Sequence, residues 1–245
     1  MTRPTRALLA TALFGVTAAA LPAAASAAMT MPLAEDYLIS DTGFISNANG
    51  GSGFRVGANS TELRNVVFAF QLPNLGAITD PFASASLTSE LFGLDTTPSL
   101  TYDADVYGLT STTAALAVDP APAGLVAYEG VLDPSANFER IIASYYTPTS
   151  SLIDPITASG TLASYLNDRY DGGAGAGEFV YLRLSPNAAA TLSTGYFVLG
   201  QEDATWDDVL PVVATFITYT AIPEPASALL VAASGLALLA RRRAA

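Results

Sequence analysis

The sequence predicts an all-β fold for the middle of the chain, an antiparallel β-sandwich or jelly roll. Short segments that alternate apolar and polar residues recur between residues 29 and 221, and this alternation is that of a half-buried strand. Clusters of Gly, Asn, Asp and Pro separate the segments, for example at residues 47–53 and 171–173. Many short strands with such turns between them are typical of antiparallel sandwiches. Because the 245-residue chain has no fixed-period repeat in this region, one domain is expected over residues 28–221.

Six segments are predicted as strands because they combine β-branched and aromatic residues with turn residues at their ends. They are residues 65–72, 83–91, 102–109, 178–184, 195–200 and 211–221. In the third of them, Ala104 and Val106 are expected on one face, and Asp105 and Tyr107 on the other.

One short helix is predicted over residues 161–170. Its apolar residues recur at helical spacing, and Gly172 follows as a stop signal; they are Leu162, Tyr165, Leu166 and Tyr170. For residues 135–146 helix and strand both remain open. Asp133-Pro134 is typical of a helix start, whereas the pairs Ile141-Ile142 and Tyr145-Tyr146 fit a strand equally well.

Composition limits the chemistry that the chain can perform. It contains no Cys, His or Lys, which excludes thiolate nucleophiles, the usual general base near neutral pH and Schiff-base lysines. Carboxylates, tyrosines and hydroxyls remain, so the sequence favours a protein that is not an enzyme. The alternative is a secreted polysaccharide-active enzyme that uses paired carboxylates.

The acidic residues are concentrated in the middle of the chain. All 22 lie from Glu35 to Glu224, where only five arginines offset them, so this segment has a net charge of −17. Such a surface repels nucleic acids, and no nucleic-acid partner is expected. No cofactor is expected either, apart from a hypothesis of weak structural calcium binding at Asp168, Asp171 and Glu178. A solvated acidic turn is the alternative for these residues.

Residues 1–27 have the features of a signal peptide. Arg3 and Arg6 precede an apolar stretch over residues 7–21, and the small residues Ala25-Ser26-Ala27 follow. This order is typical of a substrate of the Sec export machinery and of signal peptidase. Cleavage after Ala27 is therefore expected, and an uncleaved anchor is the alternative.

Residues 222–245 combine a proline-rich motif, an uncharged apolar segment and terminal arginines. The motif is Pro223-Glu224-Pro225, and its two prolines keep it extended. As a helix, residues 226–240 would be about 22 Å long, which is short of a bilayer core of about 30 Å. Such a segment is a marginal membrane span, and arginines after it stay on the cytoplasmic side.

This tail closely resembles the PEP-CTERM sorting signal of proteins exported by Gram-negative bacteria. The resemblance implies processing by an exosortase, a membrane-embedded cysteine transpeptidase-like enzyme. Pro223, Glu224 and Pro225 would then form the processing motif, and residues 226–240 a transient anchor in the inner membrane. The terminal arginines would form the stop-transfer cluster, namely Arg241, Arg242 and Arg243.

The middle region resembles the disaggregatase-related jelly-roll domains of bacterial surface proteins. The resemblance depends on a series of short motifs in one order: Asp36-Tyr37-Leu38-Ile39-Ser40, Arg55-Val56-Gly57, Leu63-Arg64-Asn65, Phe68-Ala69-Phe70-Gln71-Leu72-Pro73, Ala85-Ser86-Leu87 and Asp105-Val106-Tyr107-Gly108-Leu109. That family is related in shape to carbohydrate-binding modules, but the resemblance assigns no glycan-binding residue in this chain.

Trp206 is the candidate glycan contact that the residues themselves indicate. It stands among Asp203, Asp207 and Asp208, and sugar sites combine an aromatic ring with carboxylates and amides. The alternative is a buried Trp that closes one end of the sandwich. The tyrosines outside this region are more typical of a core, in particular Tyr145, Tyr146, Tyr165 and Tyr170.

These features together predict an exported cell-surface or extracellular-matrix protein. Its expected role is structural or adhesive, associated with exopolysaccharide or biofilm, and carbohydrate binding is part of that expectation.

Overall fold

The structure is a computed structural model that describes residues 26–40, 45–46, 54–58, 62–95, 100–110, 138–152, 154–187, 195–199 and 215–222. Within these residues the fold is all-β, which confirms the predicted class, and each strand pairing is antiparallel. The strands are β1 (Ala28–Ser40), β2 (Ile45–Ser46), β3 (Phe54–Ala58), β4 (Leu63–Gln71), β5 (Phe82–Ser89), β6 (Leu91–Asp95), β7 (Ala104–Leu109), β8 (Phe138–Tyr146), β9 (Ile156–Ala158), β10 (Phe179–Pro186), β11 (Gly195–Leu199) and β12 (Phe216–Ala221).

Each of the six segments predicted as strands contains a strand. They correspond to β4, β5, β7, β10, β11 and β12, with ends displaced by a few residues. Residue 200 and residues 211–214, which belong to two of these segments, lie outside the described residues. The segment that was open between helix and strand is a strand, β8.

The predicted helix is confirmed as α1 (Leu162–Tyr170), and its four predicted apolar residues are all buried. It ends at Asp171, which has left-handed backbone angles with φ of 42°. The ring of Tyr165 packs where Gly108 of β7 has no side chain. A Cβ atom at Gly108 would lie 2.5 Å from Tyr165 Cε2, so this glycine is required for the helix to approach the strand.

The strands form two groups that share β1. In the first group the order is β9–β5–β12–β1, and in the second it is β1–β4–β10–β7–β8. Residues Ala28–Pro32 of β1 pair with β12, whereas Leu33–Ser40 pair with β4. The register shifts between Leu33 and Glu35, and such an irregularity bends a strand. β3 pairs with the start of β4, and β11 and β6 follow it.

One hydrophobic core joins both groups and the helix. It includes Leu87 and Ile217 from the first group, Phe68 and Leu182 from the second, and Leu166 from α1. Burial of each such side chain stabilises the fold by roughly 1.5–3 kcal/mol. The core therefore fixes one face of the second group, and the candidate site lies on its other face.

Candidate functional site

The second group of strands has a buried cluster on the face directed away from the main core. We call this the second face, and it is defined by Tyr37, Ile39, Val67, Ala69, Tyr107, Leu109, Phe138 and Tyr181. Because side chains alternate along a strand, Asn65 of β4 shares this face with Val67. In the same way, Arg183 and Ser185 of β10 share it with Tyr181, and Asp105 of β7 shares it with Tyr107.

Register places three of these polar residues in one row across the strands. Ser185 is paired with Asp105. Leu184 is paired with Val66, so the next residues, Ser185 and Asn65, lie side by side when the same register continues. Neighbouring strands are about 4.8 Å apart, so the row from Asn65 to Asp105 spans about 10 Å.

Asp105 is a structural carboxylate. The sequence predicted the face of β7 on which it lies, but it did not predict that this face is buried. Its Oδ1 accepts a hydrogen bond from the backbone N–H of Ser144 at 2.7 Å, and its Oδ2 lies 3.5 Å from Arg140 Nη1. Ser144 has a φ of 48°, and the β7–β8 register is irregular at this point. The carboxylate thus satisfies an N–H group at an irregular part of the ladder.

Tyr107 lies next to this ion pair on the second face. Burial raises the pKa of the Tyr107 hydroxyl above its ordinary value, and the Asp105 carboxylate raises that pKa further. The hydroxyl therefore stays neutral and remains a hydrogen-bond donor over the physiological pH range.

Arg183 is a buried guanidinium between aromatic rings. Its Cζ lies 4.1 Å from the centroid of the Phe138 ring and 5.5 Å from that of Tyr107. Both distances are within the range of cation–π contacts. The second face therefore combines a cation with aromatic surface, next to the polar row.

Asn65 and Ser185 differ from these residues because their side-chain polar atoms have no hydrogen-bond partner among the described residues. Each residue is 1 % exposed. Neither amide atom of Asn65, nor Ser185 Oγ, has a hydrogen-bond partner in the part of the chain that the structure describes. A buried polar group left without a partner costs about 1–3 kcal/mol, and most such groups in native proteins are bonded to protein or water. Among the described residues, these two side chains are the unsatisfied part of the candidate site.

The sequence contains only a weak local signal for Asn65 and Ser185. Asn65 and Ser185 are polar positions at the ends of otherwise apolar strand segments, where a turn or solvent was the simpler interpretation. Only the pairing of β4 with β10 places them in one buried row.

The candidate calcium ligands are exposed around the end of α1. Asp168 lies in the helix, Asp171 follows it and Glu178 precedes β10. Among the described residues no group of three or more acidic side chains is arranged to hold a metal ion. The calcium hypothesis stays a prediction.

The residues predicted for sorting fall mostly outside the described residues. They are Ala25, Pro223, Glu224, Pro225, Arg241, Arg242 and Arg243. Trp206, the candidate glycan contact, also lies outside the described residues. Ala27 is described and directly precedes β1. Within the described residues, no helix has the length and apolar character needed to cross a membrane.

Comparison with known proteins adds no assignment. The chain matches no protein-family model, and it matches no curated protein.

Proposed function

We propose that the chain is an exported cell-surface or extracellular-matrix protein with a structural or adhesive role, and that it is not an enzyme. The signal peptide directs it through the Sec machinery, signal peptidase removes residues 1–27, and an exosortase processes the PEP-CTERM tail after transient anchoring in the inner membrane. The domain over residues 28–221 is a β-sandwich or jelly roll associated with exopolysaccharide.

The observation that carries this proposal is the position of the first and last strands. β1 begins at Ala28, directly after the predicted cleavage site, and β12 ends at Ala221, two residues before Pro223. The two strands pair with each other, with Ala28 opposite Thr220. Removal of both signals would therefore leave each described strand intact.

The strand pairing supports the sandwich as well. The two groups of strands contribute to one core and are joined by β1, which changes partner at its irregularity. Strands that pass from one sheet to another through a bulge are a known feature of sandwiches.

The composition supports a role without catalysis. The chain has no His, Cys or Lys. The buried carboxylate of Asp105 is engaged with Arg140 and the backbone of Ser144, so its contacts are those of a structural residue.

Replacing Glu224 and Pro225 with alanine tests the sorting function. In a Gram-negative host that has an exosortase, the double variant should stay in the membrane fraction with its tail attached. We expect at least a tenfold lower yield of processed protein, because alanines remove the side chain of the motif and allow the helix to extend into it. Cell fractionation with immunoblotting measures this.

The matched control is the exposed acid–proline pair Asp154-Pro155, replaced with alanines in the same way. This control should be processed like the unsubstituted chain. If the tail variant is processed and released as efficiently as the control, the proposed sorting function is wrong.

A further inference from the structure

The first group of strands has an outer face on which hydroxyl side chains are concentrated. Leu87 of β5 and Ile217 of β12 lie in the core, so the residues next to them in each strand lie on the opposite face. Most of those neighbours are Ser or Thr. We call this surface the hydroxyl face, and it is defined by Thr30, Ser84, Ser86, Thr88, Thr218 and Thr220.

Register places these hydroxyl groups in rows across the sheet. Thr218 lies between Thr30 of β1 and Ser86 of β5, and all three are exposed or partly exposed. In the next row along β12, Thr220 lies opposite the exposed Ser84. Neighbouring strands are about 4.8 Å apart, and alternate residues of one strand are about 6.8 Å apart. The hydroxyl face is therefore a regular array that solvent reaches.

Two hydrogen-bonded pairs orient the hydroxyl groups at the two ends of the array. Ser84 Oγ lies 2.6 Å from Thr220 Oγ1, and Thr88 Oγ1 lies 2.8 Å from Thr157 Oγ1 of β9. In each pair one hydroxyl donates to the other, so the acceptor keeps its own hydrogen for a further bond. The array can thus donate and accept hydrogen bonds while these side chains are held in place.

Phe216 adds aromatic surface to the same face. It is partly exposed and lies two residues before Thr218, opposite Thr88. On its other side is Pro32 of β1, which is exposed. The face therefore combines apolar surface with hydroxyl groups. A sugar ring has the same two features, because its ring faces present C–H groups and its edges present hydroxyl groups.

The residues that define the hydroxyl face are all uncharged, although the segment from Glu35 to Glu224 has a net charge of −17. The first acidic residue along β5 is Glu90, which follows the end of that strand. A neutral surface gives no electrostatic attraction for ions. The face therefore favours an uncharged ligand.

An open sheet face of this composition suits an extended ligand better than a second copy of the chain. Interfaces between identical subunits are more apolar than the rest of the surface, and hydroxyl groups buried without partners lose their hydration. Sites for small molecules are concave, whereas the hydroxyl face is open. A long neutral chain of sugars can contact several rows at once.

We propose that the hydroxyl face binds a segment of a neutral, unbranched polysaccharide. The hydroxyl groups of Thr30, Thr218 and Ser86 exchange hydrogen bonds with those of the sugar units, and Phe216 packs against a ring face. This rests on the proposed association with exopolysaccharide and deepens it, because it assigns the site and the class of ligand. The surface does not include Trp206, the contact that the sequence indicated.

The double variant Thr218→Val, Ser86→Ala tests the site by removing two adjacent hydroxyl groups. The full chain is purified in a detergent without a sugar headgroup, and its retardation by soluble glucan, mannan, galactan and anionic alginate is measured by affinity gel electrophoresis. We expect retardation by a neutral polysaccharide and not by alginate. The double variant should bind about tenfold more weakly, because two hydrogen bonds are lost. Its Tm should be unchanged or slightly higher, because valine favours strands.

The matched control makes the same two substitutions at exposed positions outside the hydroxyl face, namely Thr101→Val and Ser164→Ala. Thr101 precedes β7, and Ser164 is an exposed residue of α1. This control should bind the neutral polysaccharide as tightly as the unsubstituted chain does.

Three results would overturn the inference. The first is that no neutral polysaccharide retards the unsubstituted chain, and the second is that the double variant binds as tightly as the control. The third is a dimer that the double variant dissociates and the control does not, measured by analytical ultracentrifugation, since it would assign the face to a second copy. None of these results depends on sorting, so the tail variants test the proposed sorting function separately.

Discussion

Replacing Ile217 with aspartate should unfold the domain. Ile217 has no solvent exposure and lies in β12, where Met31 of β1 and Leu87 of β5 are its register partners. A carboxylate there loses its hydration without gaining a partner. We expect the free energy of unfolding to fall by at least about 4 kcal/mol, a large part of the 5–15 kcal/mol that is usual for a domain.

Thr218→Asp is the matched control because Thr218 is the next residue of the same strand on the opposite, partly exposed face. Its cost should be about 1 kcal/mol, the range of strand propensities. Urea unfolding followed by circular dichroism measures both variants. Equal destabilisation of I217D and T218D would contradict the core that we assign to β12.

The position of β12 also has a consequence for folding. β12 pairs with the first part of β1, with Ala28 opposite Thr220. This part of β1 therefore cannot pair with β12 until the last part of the chain is present. Pairings between residues so distant in sequence are slow to form. The domain therefore completes its fold only when nearly all of its chain is available for strand pairing.

Replacing Gly160 with alanine should be the next most damaging single change. Gly160 has a φ of 48°, and a Cβ atom there would lie 2.1 Å from the carbonyl oxygen of Ile141. That oxygen accepts the backbone N–H of Thr161 at 3.0 Å, which fixes the start of α1 against β8. The clash is with backbone, so a strand or the helix must move. We expect a loss of about 3 kcal/mol or more in the free energy of unfolding.

Gly172→Ala isolates the effect of the backbone conformation. Gly172 has a φ of 61°, and a Cβ atom there would meet no atom within 4 Å. Only left-handed strain remains, which costs about 1–2 kcal/mol. Urea unfolding compares the two variants directly. If G160A is no less stable than G172A, the close contact between Gly160 and Ile141 does not exist in solution.

Local sequence patterns predicted the elements better than they predicted burial. Alternation placed Ala104 and Val106 on one face of β7 and Asp105 and Tyr107 on the other, and the structure agrees. Alternation cannot tell that both faces are buried, because burial depends on distant parts of the chain. For that reason the alternating pattern did not show that Asp105 is buried, with only 1 % of its surface exposed.

The elements that sequence reasoning did not assign as strands have weak local signals. β1 contains Pro32, Glu35 and Asp36, and it pairs with two different strands on either side of an irregular step. β9 has only three residues. β1 is held as a strand by pairing with β4 and β12, and β9 by pairing with β5. A short window of sequence cannot identify such distant partners.

The candidate site could not be predicted from short stretches of sequence, because it also depends on pairing between distant strands. Asn65 and Ser185 are 120 positions apart in the chain, and only the antiparallel register of β4 with β10 brings them together. A polar residue at the end of an apolar strand is usually solvated, so neither residue alone indicated a site. Trp206, which has a conspicuous local composition, was the candidate instead.

The most direct test of the central claim is the intact mass of the mature protein released by a host that has an exosortase. We expect a chain whose first residue is Ala28, the first residue of β1, and which lacks residues 226–245. A cytosolic protein whose mass includes both residues 1–27 and residues 226–245 would contradict this expectation.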